Sequence, residues 1–330
     1  MARESGTWPP YFVVTSPSAY RAAASHLTRA PEGWEAARLL DWGHLKGIAD
    51  IVPSGVELVV GLGGGVALDA AKFVALKRGL PVVLAPTIVS SGAIIHGVVA
   101  RWEGHKTLGS SDAWPWIDAR DILVDYDIVL SAPGYLNTAG LGDVLCEYAG
   151  IAEWRRNARL GTGPPLEEPV LDATVERLSG IAAGYPKTLA SDGGLTSESA
   201  RYILTAVQQR DDSILKHPAA PMAEHPFWLG AEEVNDKAWI HGELVALGAL
   251  VIAWYCGESP ETLAGWLDSC QVRRRPSEIG ISKAELLKAV QYAPRFMSDE
   301  ANGRDIRSIL RLEPMPEARF DELWDYLEAG

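Results

Sequence analysis

The chain has 330 residues, long enough for two domains that each bury a core. Hydrophobic residues make up 47% and charged residues 22%, a balance that excludes a disordered chain and an integral membrane protein alike. The formal net charge of -13 opposes binding to nucleic-acid phosphates or anionic lipid, and the one compact basic run, Arg273 to Arg275, reads as solvated surface.

In chain order, short apolar runs alternate with helical patterns. Strand-like runs at Tyr11 to Thr15, Ala37 to Leu40 and Glu57 to Gly61 are separated by helical stretches at Ala19 to Leu27 and Leu45 to Ile51. A helix over Val66 to Arg78 follows, then strands at Pro81 to Leu84 and Asp121 to Asp125. Such alternation predicts a parallel sheet with crossover helices, here an α/β domain over 1–133. Past Pro133 strand signals nearly vanish. Helices are expected over Tyr135 to Arg159, Pro169 to Gly184, Ser197 to Asp211, Ala231 to Gly257, Pro260 to Ser269, Lys283 to Tyr292 and Ala318 to Glu328, giving an all-helical domain over 134–330. No flexible linker separates the two, so a packed cleft between them is expected. The stretch Leu244 to Cys256 is too short for a bilayer span, which needs roughly twenty residues. Cys146, Cys256 and Cys270 are too few and too far apart for a disulfide framework, and no apolar leader precedes Pro9 and Pro10. A cytoplasmic setting follows.

The sharpest local signal is Val59-Val60-Gly61-Leu62-Gly63-Gly64-Gly65, a strand that runs through glycines into the helix bearing Asp69 and Lys72. Glycines let backbone approach a ligand, and the amides and positive end of the following helix attract a pyrophosphate, so Gly63, Gly64 and Gly65 point to a dinucleotide. Asp69 and Lys72 share one helical face, read equally as phosphate-side groups or as a surface pair. The loop from Pro86 to Ala93 ends a strand at the ligand-binding edge of such sheets. Its Thr87, Ser90 and Ser91 read equally as ligand contacts or as groups satisfying their own turn.

In the helical half, Asp143, His225 and His241 each stand in a separate segment. Two imidazoles and a carboxylate make an open site for zinc or ferrous iron, although spacing alone does not establish that they meet.

Taken together, the glycine loop, Pro86-Thr87, Ile122 to Asp125, Ala139-Gly140-Leu141-Gly142-Asp143, Glu224-His225 and His241-Gly242-Glu243 resemble the iron-containing alcohol dehydrogenase and dehydroquinate synthase-like superfamily. Within it they are most similar to the polyol dehydrogenases that include glycerol dehydrogenase and sn-glycerol-1-phosphate dehydrogenase. The resemblance implies a Rossmann-like first domain, Asp143, His225 and His241 as ligands of one divalent metal (zinc, iron or nickel), the glycines as a pyrophosphate loop and Thr87 as a nicotinamide-side contact. It also implies a homo-oligomer. Glu224-His225, Glu153-Trp154, Gly280 to Lys283 and Ile306 to Leu310 are most like the glycerol-1-phosphate branch, and Lys106 and Arg307 are candidate partners for a substrate phosphate. One position departs from the pattern: Gly92 stands where the family has an aspartate near the substrate hydroxyls, leaving His96 as a candidate relay. Contacts for the adenosine end near Thr15 and Ser16 leave NAD and NADP both open.

The reading implied by these residues is a metal-dependent NAD(P)-linked dehydrogenase interconverting a small polyol, or polyol phosphate, and its ketone. The dinucleotide and metal are expected to meet at the cleft. Two alternatives stay open: a sugar-phosphate cyclase, which Asp143 in place of a glutamate disfavours, and a catalytically silent ligand-binding protein. Cys146, three residues past Asp143, reads as a buried thiol.

Overall fold

A computed structural model describes residues 1–110, 113–210 and 220–329. The chain divides into two compact units, 1–137 and 138–330.

The first unit is built on a five-stranded parallel sheet with spatial order β2-β1-β3-β4-β7. The strands are β1 (Tyr11–Thr15), β2 (Gly33–Ala36), β3 (Leu58–Gly63), β4 (Val82–Pro86) and β7 (Asp121–Ile122), with a short antiparallel pair, β5 (Trp102–Glu103) and β6 (Lys106–Thr107), between the last two. Both faces of the sheet are covered, which is why its strands read as continuous apolar runs. Tyr11, Val13, Leu58, Val60, Leu62, Val83 and Ala85 join one core cluster with Trp8 and Ile128. On the opposite face Gly61 abuts α3 (Gly65–Arg78), where a side chain at Gly61 would meet the Ala71 methyl at 2.8 Å. Two further helices in this unit are α1 (Pro17–Ala23), capped by Ser16, and α2 (Trp42–Ile51), capped by Asp41. The chain leaves β1 for one side of the sheet and β3 for the other. That makes the carboxyl ends of β1 and β3 the point where strand order reverses, and ligands of open α/β sheets bind at such points.

The second strand lies at Gly33–Ala36, not Ala37 to Leu40: the apolar pattern marks the turn after the strand, while Gly33, Trp34 and Glu35 pair with β1. β7 is two residues long, and Asp125 caps a helix instead of ending a strand, α4 (Tyr126–Ser131). The β5–β6 hairpin turns at Gly104, with φ +58°, and gave no periodic signal.

Among the described residues the second unit contains no named strand. Its longer helices are α5 (Gly134–Leu145), which starts in the first unit, α6 (Tyr148–Arg159), α7 (Glu168–Gly184), α8 (Ser197–Arg210), α9 (Glu224–Asn235), α10 (His241–Cys256), α11 (Pro260–Ser269), α12 (Lys283–Met297) and α13 (Glu317–Glu328). The stretch read as one helix from Tyr135 to Arg159 is two, broken at Cys146 and Glu147. That from Ala231 to Gly257 is also two, broken where Asp236 takes φ +51°. Helix α12 runs past Tyr292 through Pro294. The expected helix end at Asp211 lies outside the described residues, whereas α8 is described to Arg210.

Helix α10 is buried along nearly its whole length and packs against α6, α9 and α11, so it is apolar all round. No described helix is long and apolar enough to cross a membrane. The basic run is not a solvated patch. Arg274 is 5% exposed and holds Asp268 through two bonds of 2.7 and 2.9 Å, and Arg273 grips buried Glu243 at 2.6 and 2.8 Å. Arg275 pairs with Glu278.

Candidate metal centre and dinucleotide loop

Three helix ends make the centre in the second unit. Asp143 lies near the end of α5, His225 is the second residue of α9 and His241 is the first residue of α10. A local feature brings α5 and α10 together. A Cβ on Gly142 would overlap the Gly242 carbonyl oxygen, and one on Gly242 would overlap the Ala139 carbonyl, so the two backbones touch directly beside both ligands. Helices α9 and α10 also approach closely, with Phe227 filling the space a side chain at Gly248 would need.

The candidate ligand atoms of Asp143, His225 and His241 all lie within 4.8 Å of one another. From Asp143 Oδ1 the distances are 3.3 Å to His225 Nε2 and 3.1 Å to His241 Nε2. Asp143 is fully buried, and Glu224, also buried, lies 2.9 Å from His225 Nδ1 through Oε1. A fourth group enters this cluster, Arg210, the last residue of α8. Its Nη1 is 3.2 Å from both carboxylate oxygens of Asp143, and its Nη2 is 2.8 Å from His225 Nε2. A guanidinium only donates. His225 Nε2 therefore accepts, and the ring proton sits on Nδ1 facing Glu224, the tautomer in which a histidine ligates through Nε2.

Burial alone would raise the Asp143 carboxyl, yet Arg210, His241 and His225 hold it well below the usual carboxylate range. Burial pushes His241 down towards the neutral ring, against the pull of Asp143. His225 moves the other way: burial and Arg210 lower it, but Asp143 and Glu224 raise it further. The ionised Asp143 and neutral His241 are thus in the states that metal coordination requires, while at His225 the geometry alone marks Nε2 as the acceptor. The donor set therefore fits one divalent ion, with Glu224 as the outer group that orients His225.

In the first unit, β3 delivers Gly63 at φ +152°, a conformation open to glycine, and a side chain there would strike the Ala67 methyl at 2.8 Å. Gly64 caps α3, and Gly65 begins it. Helix N-terminal amides lack intrahelical partners and favour anions, so this loop is a candidate phosphate seat made of backbone. The Gly63 carbonyl accepts the Thr87 amide at 3.0 Å, which joins the second loop to the first.

The comparisons with known proteins bear on both regions. Residues 13–133 match the family model for iron-containing alcohol dehydrogenase. The chain is 26% identical over 252 residues to a glycerol-1-phosphate dehydrogenase [NAD(P)+] of Aeropyrum pernix, covering 75% of this chain and 68% of the relative. To the protein of the same name from Methanobrevibacter smithii it is 23% identical over 291 residues, covering 85% and 80%. A probable glycerol dehydrogenase from Sinorhizobium meliloti superposes with a TM-score of 0.67 at 20% identity, covering 99% of this chain and 92% of that one. The matched stretch, residues 13–133, holds the glycine loop and Thr87. Glycerol dehydrogenase from Schizosaccharomyces pombe shares the fold at a TM-score of 0.63 and 19% identity, covering 97% and 83%.

Several singled-out residues have structural tasks. Lys72 is buried and donates to Asp69 at 2.8 Å and to the Ala93 carbonyl at 2.7 Å, tying the second loop to α3. Thr87, Ser90 and Ser91 are buried in that loop. Sequence reasoning missed Asn137, which is fully buried, accepts the Val89 amide at 2.9 Å and donates to the Val129 carbonyl at 3.1 Å. An amide in the apolar stretch of α5 was its only signal. Gly92 opens a short 3₁₀ turn whose carbonyl accepts the amides of Ile95 and His96, both at 2.9 Å. The Thr15 hydroxyl donates to the Leu62 carbonyl at 2.7 Å, and Ser16 caps α1. Lys106 is exposed on β6, and Arg307 is exposed at a cavity of about 540 Å³ that Asn157, Pro164 and Leu312 also line.

Cys146 donates to the Asp143 carbonyl at 3.0 Å, and burial with the neighbouring Glu224 pushes its thiol up, so it packs as a neutral group. Glu153 is likewise structural: it accepts from Ser308 at 2.6 Å and from the Ile309 amide at 2.8 Å, fastening the Ile309–Leu312 turn. Arg210 was missed because its position at the end of α8 carries no motif.

Proposed function

We propose that the protein is a metal-dependent, NAD(P)-linked oxidoreductase that interconverts a small polyol, in particular a polyol phosphate of the glycerol-1-phosphate kind, and its ketone. The observation that carries this reading is the convergence of Asp143, His225 and His241 from three helices onto one buried point, in a chain that also holds a glycine-built phosphate seat. Asp143, His225 and His241 are the proposed ligands, and Gly63, Gly64, Gly65 and Thr87 the proposed cofactor contacts. Ser90 is a weaker candidate for the cofactor, and Asp69 acts through Lys72.

When bound, the metal supplies Lewis acidity towards the substrate oxygen and the dinucleotide carries the hydride. The protein's own part is positional. Glu224 keeps the His225 proton on Nδ1, the Gly142–Gly242 contact sets the separation of Asp143 from His241, and burial keeps Asp143 shielded from water. At the other seat, Lys72 and Asn137 hold the loop that carries Thr87. The acidic chain acts on a small molecule and not on nucleic acid, as a cytoplasmic homo-oligomer.

The test is oxidation of NADH and NADPH by zinc-reconstituted protein with dihydroxyacetone phosphate, dihydroxyacetone and small aldehydes, beside a chelated control. Metal-dependent turnover with preference for the phosphorylated ketone is expected. Turnover of a sugar phosphate without net oxidation of added cofactor would transfer the assignment to a cyclase.

A further inference from the structure

Arg210 brings a positive charge into the centre. A divalent ion lies roughly 2.0–2.2 Å from imidazole nitrogen and carboxylate oxygen ligands. The imidazole Nε2 of His225 has one lone pair, and the Arg210 guanidinium already takes it at 2.8 Å, while the same guanidinium spans both oxygens of Asp143 at 3.2 Å. One lone pair cannot serve a hydrogen bond and a metal ion together. Arg210 is 9% exposed, so it is not a surface side chain that drifts in and out of contact.

We propose that Arg210 is a resident cation that holds the centre in the metal-free protein and must withdraw when a divalent ion binds, so that this side chain sets the metal affinity. The proposal rests on the reading of the centre as a metal site. Asp143 is a fully buried carboxylate, and a buried charge is strongly destabilising unless a cation lies beside it. The guanidinium satisfies it and, in the same pose, keeps the His225 lone pair turned inward. Metal entry exchanges a single positive charge for a double one at the same oxygens. The centre is thereby ready-formed before loading, and loading is made selective, because a weakly held ion does not displace a two-pronged, charge-assisted contact.

The experiment uses full-length protein stripped with chelator and titrated with Co²⁺, read by its d–d absorption, and with Zn²⁺, read by calorimetry, for the wild type, Arg210→Gln and Arg210→Lys. Thermal unfolding of each stripped protein is followed in parallel. Removing a charge-assisted contact that competes with the metal is expected to tighten binding by about tenfold or more in Arg210→Gln. The stripped variant should melt lower than the wild type, and metal should raise its melting temperature further than it raises the wild type's. Arg210→Lys, which keeps the charge but not the fork, should fall between. If Arg210→Gln folds only when refolded with metal, the Lys variant supplies the affinity comparison. An unchanged or weaker affinity in both variants would overturn the proposal and leave the metal centre standing, since a merely structural arginine predicts that result. Failure of every form to bind either ion would overturn both.

Discussion

The two candidate sites are made of different material. The candidate phosphate seat of the first unit is backbone: a strand end, glycines and a helix start, with side chains such as Lys72 and Asn137 bracing the neighbouring loop. The centre of the second unit is side chain: a carboxylate, two imidazoles and a guanidinium drawn from four helices. A backbone site is encoded locally, in consecutive residues, and tolerates polar substitution around it. A side-chain site is encoded by packing, and each of its members is exposed to loss by a single change.

The largest effect should come from Asp143→Asn. It removes the charge that Arg210 and both imidazoles face, and breaking a buried pair costs about 3–5 kcal/mol. Metal content and turnover should fall together, and denaturant unfolding of the stripped protein should show the stability loss; full metal content in this variant would break the side-chain description of the centre. Gly63→Ala tests the other side of the comparison. A methyl at φ +152° and against Ala67 costs about 1–3 kcal/mol in strain, and dinucleotide affinity should drop while metal affinity stays at the wild-type value, as calorimetry with each would reveal. Lys72→Met sharpens the distinction between seat and strut. It leaves the Ala93 carbonyl without its donor, a loss of about 1–3 kcal/mol, and should raise KM for the cofactor more than it lowers kcat.

The smallest effect is a pH slope. Burial pushes Glu153 from an ordinary 4.5 up to about 7. The folded chain therefore holds a proton that the unfolded chain has released between those values, so this stabilisation is complete below pH 4.5 and is lost as pH climbs through 7. Glu232, raised to about 7 by burial, acts in the same direction. Urea midpoints measured from pH 4.5 to 8 should fall less steeply in Glu153→Gln than in the wild type; parallel curves would remove Glu153 as the source.

The same contrast explains what could be read from sequence. Helix α3 was legible because its N-terminal glycines and Gly79 at its end, with φ +65°, mark it unambiguously. The long apolar stretch of α9 and α10 hid its own break, because hydrophobic periodicity continues across Asn235 and Asp236 and only the left-handed turn at Asp236 interrupts it. β2 was displaced because Trp34 and Glu35 on an edge strand lack apolar alternation. Asp143, His225 and His241 were singled out through the motifs around them and the fold brings them together, but Arg210 and Asn137 act through distances that only the fold creates. The arginine run was misread for a related reason: charge density in sequence does not tell whether Asp268 and Glu243 lie opposite.

The meeting of Gly142 with Gly242 has a consequence for how the centre can vary. The spacing of Asp143 from His241 is gauged by main chain against main chain, with no side-chain volume between. Repacking elsewhere in the core acts through side-chain volume and so has no lever on that bite. The ligand types at 143 and 241 are therefore open to exchange in design, as the teeth of a clamp whose jaw is fixed, while any residue larger than glycine at 142 or 242 would spread the jaw itself.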